Sequence, residues 1–278
     1  MYSPPPTDAD TERMTRAHRS SASALGVTIV GPPVWGWHGR TLGRRALHSE
    51  HGLCWLRLLS APAGEAGGKL WEGTALAAGL FPGVHKPELH ALHDQQGDGH
   101  AYRAELTSYV TAPVLSPDPV LRQELDLPDQ VLESLRRDTH TISQAVTDRV
   151  AVRQQWIDRR IPELTGQTAP QIRTWECAHG DLHPANITQN ATILDWEGFG
   201  LAPRGYDAAM LYAYSLLAPR TADRIHDAFA PVLDTPDGRD ALLVVTADLL
   251  LSASRGDHPD LVPDLSALAR RCASTPRP

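Results

Sequence analysis

One segment, Cys177 to Asp207 (CAHGDLHPANITQNATILDWEGFGLAPRGYD), holds polar residues spaced for chemistry. His179, Asp181, His183, Asn186 and Asp195 admit two readings. In the first, His179 and His183 face one zinc ion from a single helix. That geometry needs an unbroken helix, yet Gly180 stands between the histidines, and Pro184 drives His183 out of the helical region. Glycine also occupies position 180, where a general-base glutamate would stand. The second reading is phosphoryl transfer. It asks for a carboxylate to orient the attacking hydroxyl and for hard oxygen ligands to Mg²⁺. Asp181 and Asn186 stand in the spacing HxDxxxxN. Ile187–Thr188 and Ala191–Leu194 can pair across Gln189-Asn190 as a hairpin that returns Asp195, with Trp196, Glu197 and Gly198 behind it, to the side of Asn186. One loop then presents a base and two oxygen ligands, and phosphoryl transfer is the stronger reading.

HGDLHPAN followed by ILDWEGFGLAPRGYDAA resembles the aminoglycoside phosphotransferase and choline kinase-like family, a branch of the protein-kinase-like fold. The likeness is close from about Glu176 to Ala209 and loose elsewhere. It implies an α+β, two-lobed chain with a small β-rich N-lobe and a larger, mostly helical C-lobe. It also implies Asp181 as the catalytic carboxylate, Asn186 and Asp195 as the metal ligands, and Asp207 as a support for the catalytic loop. His183 and Pro184 shape that loop, and His179 is structural. From the N-terminal half the resemblance asks for a glycine loop over the phosphates, a basic residue on the third strand and a helix glutamate. Gly36, Gly39 and Gly43 in GWHGRTLG supply the glycines, although Trp37, Arg40 and Leu42 make the loop unlike the usual one. Arg57 in CWLRLL takes the basic position, with Lys69 as its competitor, and Glu72 is its expected partner. The hinge that binds the adenine ring maps to about Glu105 to Val110, with Glu105 and Tyr109 as nucleotide-binding positions. The implied substrates are ATP or GTP with Mg²⁺, and a hydroxyl on an aminoglycoside-like or amino-alcohol acceptor. The alternative is a kinase-fold protein that phosphorylates a peptide, or a non-catalytic nucleotide- or partner-binding subunit.

These residues need elements to hold them. VTIV (Val27 to Val30), LCWLRLL (Leu53 to Leu59) and YRAELTSYV (Tyr102 to Val110) read as strands. KLWEGTALAAGL, Lys69 to Leu80, reads as a helix on that small sheet. Beyond Pro113, Pro117 and Pro119 the pattern turns helical: Leu127 to Ser143, a segment capped by Thr147 and running to about Arg160, Tyr206 to Leu217, Thr221 to Leu233, and a helix opened by Thr235-Pro236. The expected division is 1–25 as a disordered arm rich in proline and charge, 26–110 as the N-lobe and 111–278 as the C-lobe. Trp35, Trp55 and Trp71 read as packing residues, and Trp37, on the glycine loop, as either a packing residue or a substrate platform.

Composition sets outer bounds. The 278 residues carry 26 Lys and Arg against 33 Asp and Glu, a net charge of −7, with 41% hydrophobic residues. That is the make-up of a packed protein and not of a general nucleic-acid binder, whose phosphate contacts need clustered cations. Ala241 to Leu251, broken by Asp248, is too short to span a bilayer, and the first residues lack the apolar core of a secretory signal. The three cysteines, Cys54, Cys177 and Cys272, form no CxxC pair and read as reduced thiols. A cytoplasmic enzyme with no membrane or nucleic-acid partner is the expectation.

Overall fold

A computed structural model describes residues 3–36 and 38–274. The chain forms two compact units. One contains the described residues up to Leu80 together with Pro87–Thr111; the other contains Phe81–Lys86 and the chain from Ala112 onward.

The first unit is an antiparallel sheet of β1 (Val27–Ile29), β2 (Val34–Trp35), β3 (Thr41–His48), β4 (Gly52–Pro62), β5 (Leu89–Gly97) and β6 (His100–Ser108). The strand order is β1-β3-β4-β6-β5, with β2 also on β3. Side chains alternate between the faces of a strand. Along β4, Cys54, Leu56 and Leu58 are buried on one face, which leaves Trp55 and Arg57 to the other. The first face is covered by helix α1 (Asp8–Ala24), a segment expected to be a disordered arm. Met14, Ala17, His18, Ser21 and Ala22 are buried at the i, i+3, i+4, i+7, i+8 spacing of one helix face. Met14, Ala17 and Ala22 join the core of β3, β4 and β6. Thr7 caps the helix by accepting from the Asp10 N–H, and Asp8 and Asp10 complement its positive end. Arg13 then donates to the Tyr102 hydroxyl at 2.8 Å. Helix α2 (Lys69–Leu80) follows its sequence-based bounds.

The second unit is mostly helical: α3 (Asp129–Ser143), α4 (Gln154–Thr165), α5 (Tyr206–Tyr214), α6 (Pro219–Leu233), α7 (Pro236–Ala253) and α8 (Val262–Ser274). Helix α7 is buried on nearly every side, from Ala241 through Ala247, and packs on α4, α5, α6 and α8. Thr235 caps it by accepting from the Gly238 N–H, as Thr235-Pro236 suggests. Thr147 does not cap α4, which begins seven residues later at Gln154; its hydroxyl accepts instead from the Arg149 N–H, a local turn. A two-stranded ribbon, β7 (Trp175–Ala178) with β8 (Gly200–Pro203), brackets the loop that carries the polar set. No helix among the described residues is long and apolar enough to cross a membrane. Cys54, Cys177 and Cys272 are free thiols.

Candidate active site

The loop between β7 and β8 is built backbone first. Burial pushes the Asp207 carboxyl up, yet it accepts from the His179 N–H at 2.7 Å and the Gly180 N–H at 3.0 Å. It thus supports the loop from beneath, the role that the resemblance implies. His179 links the loop's two arms: its Nδ1 accepts from the Asp181 N–H at 3.3 Å and its Nε2 lies 2.9 Å from the Leu194 carbonyl. One tautomer, with the proton on Nε2, satisfies both contacts. Gly180 has φ +82°, and a Cβ there would stand 2.9 Å from the Gly198 carbonyl oxygen. Glycine is therefore what lets the two arms touch. Because His179 to His183 is not helical and His183 is extended at φ −130°, no single helix aims both imidazoles at a zinc ion.

Ile187 and Ile193 form an antiparallel bridge, and the Leu194 N–H donates to the Asn186 carbonyl at 2.8 Å. The expected hairpin is present and sets Asp195 beside Asn186. Its turn holds three residues rather than two, with Ala191 at φ +63° completing it. Asp195 is exposed and also left-handed, at φ +59°. Asp181 has a half-exposed side chain, at 48%. Asn186 Nδ2 donates to the Asp181 carbonyl at 3.0 Å and to Asp181 Oδ2 at 3.2 Å, and His183 Nε2 lies 3.5 Å from Oδ2. Burial raises the Asp181 carboxyl, but the His183 and His179 imidazoles and the Asn186 amide outweigh it and hold the group below the ordinary carboxylate value. Asp181 is thus ionised at neutral pH.

A divalent cation would find hard donors here. The Asn186 amide nitrogen is engaged within the loop, so its carbonyl oxygen is the atom it can offer a cation, and the backbone pairing of Leu194 with Asn186 sets Asp195 one residue further along. No cluster of three His, Cys, Asp or Glu residues suited to a metal occurs among the described residues. Mg²⁺ does not require one, since one or two protein oxygens plus phosphate and water complete its shell. The donor set fits Mg²⁺.

The first unit places its residues less as expected. Gly36 and Gly39 form the turn between β2 and β3, but their N–H groups are used inside it, bonded to Thr41 at 3.0 Å and Gly36 at 3.1 Å. Gly39 is left-handed at φ +67°, with the Pro5 backbone packed against it. Gly43 is not in the loop. It lies within β3 opposite Arg57, and the Trp55 indole fills the space that a Cβ would take. Trp37 lies outside the described residues. Arg57 sits on a strand, though on β4, the fourth in chain order because the two-residue β2 precedes β3, with its guanidinium 3.7 Å from Glu105. Glu105 faces it across the β4–β6 register and is 2% exposed. Glu72 is exposed on α2, where its charge acts on Arg103; Arg57 takes its partner from the neighbouring strand instead. Glu105 is therefore an interior strand residue and not part of a hinge. Of the expected hinge span, only Tyr109 and Val110 lie beyond β6, and the Tyr109 N–H is bonded to the Leu53 carbonyl at 3.2 Å.

Three residues escape sequence reasoning. Asp248, on α7, is pushed up to about 6 by burial and by the charge of Asp181, against a smaller pull from Arg255. Arg149 grips the loop after Asp195. Phe81 packs 5.0 Å from Trp196 and 5.1 Å from Phe199, a hydrophobic floor under that loop. Their partners are far away in sequence, and no spacing rule could link them.

A small antiparallel-sheet unit and a larger helical one, with a catalytic-type loop hung between two short strands, define a kinase-like phosphotransferase. The model of the phosphotransferase enzyme family (APH) matches residues 56–242, and the chain belongs to that family. It is an enzyme that moves a phosphoryl group to a hydroxyl. Aminoglycoside phosphotransferase APH(4)-Ia, solved with ADP and hygromycin B, superposes with a TM-score of 0.61 at 13% identity, over 93% of this chain and 99% of that one. Amicoumacin kinase hAmiN, solved with AMP-PNP and Ca²⁺, gives 0.58 at 12% identity over 96% of each chain. Macrolide 2'-phosphotransferase MphH from Brachybacterium faecium gives 0.51 at 15%, over 94% of this chain and 99% of that one. A comparison with curated protein sequences found no match.

Proposed function

We propose that this chain transfers the γ-phosphoryl group of ATP, with Mg²⁺, to a hydroxyl of a small acceptor that also carries a cationic amine. The observation that carries the reading is the convergence of Asp181, Asn186 and Asp195 in one loop and hairpin, tied together by His179 and Asp207. Asp181, ionised and half-exposed, receives the acceptor hydroxyl in hydrogen bond and orients its oxygen toward the γ-phosphorus. The new P–O bond forms as the bond to the β,γ-bridging oxygen breaks. ADP leaves, and the hydroxyl proton passes to the Asp181 carboxylate. The Asn186 carbonyl oxygen and the Asp195 carboxylate would hold the cation, which when bound neutralises charge on the phosphates. Arg57, oriented by Glu105, is assigned to the α- and β-phosphates, where a planar guanidinium can make paired contacts. Gly36 and Gly39 shape the phosphate-side turn and do not donate to it.

Asp248 refines the acceptor. Burial and, behind it, the charge of Asp181 raise the Asp248 carboxyl, so the two acids repel. An acceptor with an ammonium near its reacting hydroxyl would relieve that repulsion, and the hygromycin B bound by the APH(4)-Ia neighbour gives the same direction. Two variants test the assignment. Asp181→Asn is expected to cut turnover at least about 100-fold while nucleotide affinity stays within about threefold. Asp195→Ala is expected to remove the Mg²⁺-dependent part of nucleotide binding in calorimetry. Full turnover in either variant overturns the role assigned to that residue.

A further inference from the structure

The Asp195 loop is gripped from two sides, and one side belongs to a residue outside every motif. A non-glycine residue at φ +59° carries a backbone cost and persists where its surroundings over-determine it. Upstream of Asp195, the His179 imidazole holds the Leu194 carbonyl. Downstream, Arg149 donates from Nε to the Phe199 carbonyl at 3.0 Å and from Nη2 to the Glu197 carbonyl at 2.7 Å. Its guanidinium lies 4.2 Å from the Phe199 ring centroid, and the residue is 9% exposed.

Arg149 is itself fixed. Thr147 Oγ1 accepts from its N–H at 3.1 Å, and its carbonyl accepts from the Leu201 N–H at 2.8 Å. A Cβ on Gly200 would stand 2.9 Å from that carbonyl oxygen, so glycine there admits the strand of chain that delivers Arg149. The anchor therefore runs from β8, through the Arg149 backbone, out along its guanidinium and back to the carbonyls just past Asp195.

We infer that Arg149 is a positioning residue that sets the direction of the Asp195 carboxylate, and through it the affinity for the divalent cation that accompanies the nucleotide. This rests on the reading of Asp195 as a Mg²⁺ ligand. Lysine keeps the charge but offers no planar fork to span two carbonyls, so Arg149→Lys separates positioning from charge. Removing partners that orient a ligand typically weakens metal affinity by about 10–100-fold.

The test is calorimetry of ADP binding in excess Mg²⁺ and in EDTA, on the wild-type chain and Arg149→Lys. The expected result is loss of at least about tenfold of the Mg²⁺-dependent gain, with affinity in EDTA within about twofold of wild type. A general loss of structure would lower both affinities together. Phe199→Leu, which withdraws the ring beneath the guanidinium, gives the second reading should Arg149→Lys not fold, and a loss in the same direction is expected. A wild-type gain retained in the folded variants overturns the inference and leaves the role of Asp195 standing. A wild-type chain with no Mg²⁺-dependent gain overturns both.

Discussion

Asp181 and Asp248 are two carboxylates of one unit whose surroundings push them apart. Asp181 has imidazole and amide partners and is held low; Asp248 has burial and a like charge and is raised to about 6. The divergence follows from burial, neighbouring charge and hydrogen bonding. It also has a stability consequence of definite sign. Between the ordinary value of 3.8 and about 6, the folded chain binds the Asp248 proton and the unfolded chain does not. The stabilisation from that proton is complete below about pH 4 and is lost as pH rises through 6. Asp248→Asn mimics the protonated form. In urea unfolding of the nucleotide-free protein, it is expected to match wild type near pH 4 and to exceed it by about 1–3 kcal/mol at pH 8. An equal effect at both pH values would detach the burial of Asp248 from its charge.

Elements are legible in the sequence where one property dominates a contiguous run. Lys69–Leu80 is apolar at helical spacing and folds as read. The Asn186–Asp195 hairpin follows from its short apolar arms and polar turn. The α1 stripe escapes because two of its five buried positions, His18 and Ser21, are polar, and only a sheet that offers Leu56 O and Gln95 as partners makes their burial favourable. The polar residues along β5, LHALHDQQG, hide that strand in the same way. β3 is hidden by Gly43, which reads in the sequence as part of a phosphate loop. Its lack of a side chain serves Trp55 across the sheet, and that cross-strand contact depends on register. Gly43→Ala is therefore expected to cost about 1–3 kcal/mol of stability, and Trp55→Leu in the same chain to recover part of it. A double-mutant cycle read by denaturant unfolding measures the coupling; strict additivity would contradict the packing role.

At the scale of the whole molecule, two features are readable from the sequence alone: a β-rich part ahead of a helical part, and the ordered set of Asp181, Asn186 and Asp195. Both are local in sequence. The partner of Arg57, the floor beneath Trp196 and the approach of Asp248 to Asp181 are products of tertiary packing, and composition carries no trace of them. The most direct measurement is ³¹P NMR of the wild-type chain with ATP, Mg²⁺ and a panel of amino sugars and amino alcohols, with Asp181→Asn alongside. The expected result is a new phosphomonoester resonance with at least one acceptor, ADP formed in step with it, and neither in the variant. ATP bound in the presence of Mg²⁺ with no phosphomonoester from any acceptor, or an equal yield from Asp181→Asn, would contradict phosphoryl transfer through Asp181.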